Sequence, residues 1–353
     1  MPVYKYEVDQ LSKNDWHQLL LTFTDASIDQ SRSYAEARWQ KASISHLVVK
    51  CDNKIVAAAQ VAIRQVPFLR SGVAHVKFGP LWQPMGHAAN PEYLKQVLRF
   101  LREEYVIKRG LLLRLMPPPS KEGADVFCHA LQRAGFQRTD IADSERYFVN
   151  LSSSVDELRK NLKGRWRNHL NRAEKHGLEC RWLEGDEAIN VFMSLYGNMV
   201  NRKSFVDTSA IAELPLFYKD LEPALRPKVL ICFSQNTPVA GAVISAMGDT
   251  AQYLFGASNL KGLELDAGYY MQWEVIKWLN TQGVSWYDLG GSVDNAGLRQ
   301  FKSGLIGKNG VEGILPGEFD CCERASSRIA AAVGFELRKF SVFVRNHSWQ
   351  ALL

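Results

Sequence analysis

No run of about 18 apolar residues occurs anywhere in the 353-residue chain, which excludes a single hydrophobic helix spanning a bilayer. The first residues, MPVYKYEVDQLSKNDW, lack a basic segment followed by an apolar one, so no secretory signal is read and a cytoplasmic location is expected. Six cysteines (51, 128, 180, 232, 321 and 322) form no C-x-x-C and have no histidine pair nearby. Reduced thiols are therefore expected, with neither a disulfide framework nor a metal site. A P-loop, a dinucleotide-binding glycine fingerprint, G-x-S-x-G and H-E-x-x-H are all missing, which removes the commonest nucleotide, hydrolase and metalloprotease readings. Charge of one sign is scarce as well. The balance of 43 basic against 37 acidic residues, a net +6, is too mild for a dedicated nucleic-acid protein. A polyanionic partner would have to meet a local basic face.

What is present is the make-up of a folded protein, 46% apolar and 23% charged. Its length exceeds what one core usually serves, so two units of about 150 to 200 residues are expected. In the first half, KNDWHQLLLTF (13–23) has helical spacing, and HLVVKCDNKIVAAAQVAIRQV (46–66) reads as two strands around Asp52, Asn53 and Lys54. VAHVKFGPLWQP (73–84), a helix over 91–109, the apolar strand LLLRLMPPP (111–119), a helix ending in RAGF (133–136) and RYFVNL (146–151) follow. SSSVDEL then offers a capping box, Ser154 with Glu157, and marks a boundary. The second half repeats the theme with a hairpin over 228–248, a strand over 250–258, a helix over 269–283 and a strand over 285–291. Helices covering mixed sheets give an α/β class with α+β character. The expected units are 1–151 and 152–353.

Two segments stand out chemically. DELRKNLKGRWRNHLNRAEKHG (156–177) sets Leu158, Leu162, Trp166, Leu170 and Ala173 on one helical stripe and surrounds it with basic residues. Arg165, Arg167 and Arg172 are its candidates for phosphate, because guanidinium groups grip phosphate with two bonds; an ordinary solvated face is the alternative. YDLGGSVDNAGLRQFKSGLIG (287–307) ends a strand in Gly290 and Gly291, crosses a polar loop, and places Lys302 among Phe301, Leu305 and Ile306. A solvated lysine needs no such setting, although a lysine laid along a hairpin beside Asn309 and Gly310 would also explain it.

Several stretches, taken in order, resemble the FemABX aminoacyltransferases. VKFGPLWQP is similar to that family's R-G-P strand end, LLLRLMPPP to its next strand, RWRNHLNRAEKHG to its R-x-x-(apolar)-x-(K/R)-A-x-(K/R)-x-G helix, and LYGNMVNRKSF to its R-x-x-F segment. QYLFGAS and YYMQWEVIKWLNTQGVSWYDLGG resemble the core of its second domain, and Y-D-L-G-G followed by F-K its most specific feature. The resemblance implies two GNAT-like acyltransferase folds in tandem. It also implies transfer of an aminoacyl group from aminoacyl-tRNA to an amine of a peptidoglycan or other cell-envelope precursor, such as a nucleotide- or lipid-linked muropeptide. Peripheral contact with the inner membrane surface fits that chemistry. Lys302 then becomes the catalytic residue, polarising the carbonyl or holding acceptor phosphate. Gly290, Gly291, Arg202, Tyr253 and Lys77 become acceptor ligands, and Asp288 orients the loop. No cofactor is expected, and no general base is evident.

Two rival readings remain at this point. Acyl-CoA could replace the tRNA donor, against which stands the missing Q/R-x-x-G-x-G/A signature; the one near miss, Gln132 to Gln137, ends in glutamine and follows a helix. A non-catalytic protein holding a nucleotide-sugar is the other.

Overall fold

A computed structural model of the chain describes residues 2–66, 71–121, 125–203, 209–292 and 295–334. Its strands are, in chain order, β1 (Tyr4–Val8), β2 (Ser43–Cys51), β3 (Lys54–Gln65), β4 (Gly72–Lys77), β5 (Leu112–Met116), β6 (Gln137–Arg138) and β7 (Ser144–Asn150). They continue as β8 (Glu179–Leu183), β9 (Lys228–Ser234), β10 (Thr237–Ser245), β11 (Thr250–Ser258), β12 (Trp286–Asp288), β13 (Val311–Leu315) and β14 (Phe319–Cys321). Among the described residues no helix is long and apolar enough to cross a membrane.

The two hairpins that open each half close through two-residue turns in the left-handed region, Asp52 and Asn53 in one, Gln235 and Asn236 in the other. Such turns match the twist of paired strands, and Asp and Asn tolerate the conformation. Side-chain alternation then gives each sheet two buried faces. In β2 and β3, Leu47, Val49, Ala57 and Ala59 face an outer core with the stripe Leu94, Val97, Leu98 and Leu101 of the helix Pro91–Leu101. Val48 and Ala58 face the opposite way, into a core shared with the second sheet. There the helices Lys13–Leu20, Arg32–Arg38, Gly185–Lys203 and Leu214–Asp220 are sandwiched between the sheets, against Val229, Ile231 and Phe233 of β9. A third core covers the far side of the second sheet with the helices Gly164–Ala173, Ala267–Thr281 and Ala296–Ile306.

The sheets have the orders β1-β2-β3-β4-β5-β14-β6 and β8-β9-β10-β11-β12-β7-β13. Position by position they match: one parallel pair in each, β4 with β5 and β11 with β12, and antiparallel pairs elsewhere. The sixth strand is exchanged. β7, which follows the first unit in sequence, completes the second sheet, and β14, which follows the second unit, completes the first. The boundary expected at 151/152 therefore does not divide the sheets, since 144–150 lies in the second and 319–321 in the first. Strand patterning shows that a strand exists but not which partner it pairs with.

The basic segment is also reorganised. The continuous helix expected over 156–177 breaks at Leu162 and Lys163, both extended, into Val155–Asn161 and Gly164–Ala173. Gly164 favours such a break, and the steps of four that suggested one helix survive because Leu158, Leu162, Trp166, Leu170 and Ala173 all stay buried. The capping box of Ser154 and Glu157 forms.

The strand return has a measurable consequence. Phe319 is 1% exposed and sits in the outer core of the first sheet. Phe319→Ala is expected to cost about 3 to 5 kcal/mol in urea unfolding and to open the first sheet to proteolysis, although position 319 lies far along the chain. A loss below about 1 kcal/mol, the size expected for a surface position, would contradict this packing.

Candidate active site

The sheets meet at a cleft of about 530 Å3. Asp25, Ser27, Phe78, Trp82 and Lys121 line it from the first unit, and Phe148, Asp249, Thr250, Gln252 and Asp288 from the second sheet. Register explains the second wall. Gln252, Asp288 and Phe148 are direct neighbours across β11, β12 and β7, so their side chains share one face. The seam is closed by a backbone bond, Asp249 N–H to Thr24 O at 2.7 Å. Gly248 makes that approach possible: its φ is +65°, and a Cβ there would stand 2.3 Å from Thr24 O.

Lys302 is on a helix, not a hairpin. Asn295 accepts from Leu298 N–H and caps Ala296–Ile306, so Lys302, Leu305 and Ile306 fall on one buried stripe. Gly304 permits the Trp166 ring to pack directly on the same helix. Lys302 is 6% exposed, and its Nζ donates to Gly291 O at 2.6 Å. The neighbouring Gly290, at φ +75°, donates its N–H to Asp288 Oδ1 at 2.8 Å. The other Asp288 oxygen accepts from Arg146 Nη2 at 2.5 Å. A Cβ on Gly290 would be 3.5 Å from Lys302 Nζ and 3.7 Å from Arg146 Nη1, so both cations flank this one residue.

Their charges are not balanced alike. Arg146 has Asp288, whereas among the described residues no carboxylate lies within ion-pair distance of Lys302. Glu145 is held by Tyr147 at 2.8 Å, by Ser292 and by Arg299 at 3.5 Å. Burial, then the Arg146 charge, push the Lys302 pKa down to about 8, against the pull of Asp288 and Glu145. It is still mostly protonated at neutral pH. The result is a cation in a dry place, fixed by one backbone carbonyl, beside a glycine pair whose missing side chains let Lys302, Arg146 and the Glu145 carbonyl approach closely.

Sequence reasoning thus placed Lys302, Gly290 and Gly291 together, and the structure does so too. The other candidates lie apart. Lys77 ends β4 and pairs with the buried Asp29 at 2.7 Å; burial opposes its charge, but Asp29 holds its pKa above the ordinary value. It neighbours the cleft through Phe78, 5.1 Å from that ring centroid. Arg202 is near the end of the helix Gly185–Lys203, and the phenylalanine of its R-x-x-F segment, Phe205, is outside the described residues. Tyr253 is an interior residue of the second sheet. It occupies β11, on the face opposite Gln252, with its ring 6.4 Å from that of Tyr287 and its hydroxyl over Gly256. Burial raises its pKa to about 12.

Arg165 is exposed and Arg167 donates to Lys160 O at 3.1 Å. Arg172 grips Asp266, Nη2 to Oδ2 at 2.8 Å, while His169 meets the other oxygen of the same carboxylate at 2.8 Å.

Asp25, Arg146, Asp249 and Gln252 were not found from the sequence. Asp25 lies in TFTDASID, where an aspartate reads as a turn or cap. In the fold its two oxygens accept from Trp82 N–H at 2.8 Å and Gln83 N–H at 3.3 Å. Burial outweighs those bonds and raises its pKa to about 7, with Asp249 adding to the shift. Arg146 sits in a strand pattern that any surface strand could carry; its period-2 place beside Phe148 was the only available signal.

A family model described as an acetyltransferase (GNAT) domain matches residues 158–303, a span that holds the basic helix and Lys302. Among solved structures, FemX is similar with a TM-score of 0.75 at 16% identity, over 90% of this chain and 97% of that one. The C-terminal domain of a putative lysylphosphatidylglycerol synthetase from Agrobacterium fabrum is similar at 0.58 and 13%, over 91% and 96%. A conserved protein of unknown function from Bacteroides thetaiotaomicron matches at 0.58 and 14%, over 92% and 100%. The chain has the FemX-like fold of two GNAT-like units in tandem.

Asp25 gives a stability test. The folded protein keeps its Asp25 proton up to about pH 7, whereas the unfolded chain loses it near pH 4. The native state therefore binds more protons across that window, and stability falls as pH rises through it. Asp25→Asn forfeits one backbone bond at every pH but removes the titration. The variant's melting temperature relative to wild type is expected to rise from pH 4 to pH 8 in calorimetric scans; a pH-independent difference would refute the shifted carboxyl.

Proposed function

We propose that the protein is an amide-forming acyltransferase that moves an aminoacyl group from aminoacyl-tRNA to an amine of a peptidoglycan or other cell-envelope precursor. Lys302 carries this reading, as a buried, protonated side chain without a carboxylate partner among the described residues, fixed beside Gly290 and Gly291. When an amine attacks an ester carbonyl, the carbon–nitrogen bond forms as the carbonyl oxygen takes negative charge. A preorganised cation in a dry site stabilises that oxyanion. Arg146, on the other side of Gly290, reinforces the positive field. Collapse of the tetrahedral intermediate breaks the carbon–oxygen bond to the donor, which leaves with a proton while the amine loses one. Acceptor phosphate could use the same two cations, and a nucleotide- or lipid-linked muropeptide supplies it. Arg202 and Lys77 are proposed as outlying acceptor ligands, and Tyr253 as a support of the sheet beneath. Such a donor places the work in the cytoplasm, with peripheral contact at the inner membrane surface for a lipid-linked acceptor.

The donor choice rests on the segment after β11, SNLKGLELDAG (258–268). It has no Q/R-x-x-G-x-G/A, and the helix that follows begins on Asp266, whose carboxylate Arg172 and His169 already hold. An acid at that helix end works against a second anion such as a CoA pyrophosphate. Arg165 and Arg167, on the adjacent helix, suit the backbone of a longer polyanion. Acyl-CoA is the second reading, favoured by the match to an acetyltransferase domain.

Incubating the protein with charged tRNA or with acyl-CoA, each with a panel of envelope precursors, decides between them by product mass. An aminoacylated precursor is expected; an acyl product formed only from the thioester would replace the donor. In that assay Lys302→Ala is expected to lower turnover by about tenfold to a hundredfold without loss of fold. The wild-type rate should fall on the alkaline side with a midpoint near pH 8, and Lys302→Arg should move that fall upward while restoring only part of the rate. A folded Lys302→Ala protein at full rate would remove Lys302 from the chemistry.

Joint replacement of Arg165, Arg167 and Arg172 is expected to weaken tRNA binding and flatten its salt dependence by roughly 0.7 to 0.9 in slope per lost phosphate contact. Titrations at several salt concentrations measure it. An unchanged slope would leave these residues as solvated surface.

A further inference from the structure

We infer that Asp25, Asp249 and Gln252 form a subsite at the seam of the two units for a primary ammonium group. It rests on the transfer reading only for which amine is meant. Acceptors predominate in this part of the cleft. Gln252 is 9% exposed, lines the cleft, and its Oε1 is buried without a hydrogen-bond partner among the described residues, as is the hydroxyl of Ser27 in the same lining. Asp25 turns toward two backbone N–H groups, and Asp249 accepts from Thr250 Oγ1 at 2.6 Å. Buried acceptors without donors are costly, and a ligand bringing N–H groups satisfies them.

The charge count points the same way. Arg146 neutralises Asp288, so Asp25 and Asp249 face one lysine among the described lining residues, Lys121, whose Nζ donates to the Thr250 hydroxyl at 3.2 Å. Two carboxylates against one cation leave a single negative charge. Burial, with the Asp249 charge adding, raises the Asp25 pKa to about 7, so a proton on Asp25 offsets that charge below that pH when no ligand is bound. An ammonium supplies one positive charge and three donors, the complement of what is present. The rings of Phe78, Trp82 and Phe148 in the same walls also favour a cation. A phosphate or carboxylate is repelled here, and a neutral amide leaves the charge unmatched.

Primary ammonium groups occur on both proposed substrates, as the α-amine of the aminoacyl donor and as the attacking amine of the acceptor in its protonated form. Calorimetry on the full chain distinguishes them with three small probes. Nα-acetyl-L-lysine amide presents a side-chain ammonium, L-alanine amide an α-ammonium, and Nα,Nε-diacetyl-L-lysine amide none. At least one ammonium probe is expected to bind at millimolar concentration and the diacetyl probe not to. Preference for the lysine probe assigns the subsite to the acceptor, preference for the alanine probe to the donor. Asp25→Asn with Asp249→Asn should weaken binding about tenfold or more, since hydrogen bonds to charged groups are lost together with the charge. Gln252→Glu, which adds a carboxylate at the unpaired oxygen, should tighten it, and this variant decides the matter if the double variant does not fold. Absence of binding by both ammonium probes, equal binding of the diacetyl probe, or unchanged affinity in the folded variants would overturn the inference. Because the readout is binding and not turnover, a failed transfer assay removes the donor and acceptor assignment alone, and failed binding beside working transfer removes only the subsite.

Discussion

The exchange of sixth strands is the constraint on which the rest depends. β7 inserts between β12 and β13 of the second sheet, and β14 between β5 and β6 of the first. Neither sheet is complete without a strand from the far side of the other unit, so the two cannot separate as beads on a linker would. Sheet register then sets the wall formed by Gln252, Asp288 and Phe148. Along β7, Tyr147 and Val149 fill the outer core, while Arg146 and Phe148 look toward the first unit. Pairing with β12 brings Phe148 opposite Asp288, and Asp288 in turn orders Gly290 and Arg146. Ladder pairing of this kind holds side chains more tightly than a loop could.

Burial of charge at this place does little for stability. A buried ion pair such as Arg146 with Asp288 regains in attraction about what desolvation takes away. Lys302, without a carboxylate at contact distance among the described residues, is simply costly, and its lowered pKa records that cost. The surrounding fold supplies the difference: the stripe of Leu305 and Ile306, the Trp166 ring on Gly304 and the Asn295 cap hold the helix in place whatever position 302 carries. On the proposed reading, a lysine kept against its own solvation, on a helix that leucine would suit better, is a functional choice.

Much of this was legible in the sequence because it is local. Hairpin turns, the Ser154 capping box, the apolar stripes and the odd setting of Lys302 after two glycines are all patterns within a dozen residues, where backbone preference and periodicity operate. Pairing is not local. RYFVNL has the same alternation whichever sheet receives it, so the exchange of β7 was invisible, and with it the role of Arg146. The break at Leu162 was hidden for a different reason: apolar steps of four persist when two short helices dock on the same core. Asp25 and Asp249 acquire their character only from burial at a seam, and each alone is an ordinary loop aspartate.

The cleft that results is polar in one direction. Beyond its lining, next to Asp288, Lys302 and Arg146 flank Gly290, an excess of positive charge. Away from it, along one sheet face, come Asp288, then Gln252 in register beside it, then Asp249 with Asp25 across the seam, an excess of negative charge. Amide formation from an ester and an amine develops that same dipole, with negative charge gathering on the carbonyl oxygen and positive charge on the attacking nitrogen. A fixed field aligned with that dipole stabilises the transition state more than either neutral reactant, and it needs no reorganisation at the moment of reaction. On the proposed reading, each unit supplies part of that field. Asp25 belongs to the first and Lys302 to the second, so the field exists only while the exchanged strands keep the two together.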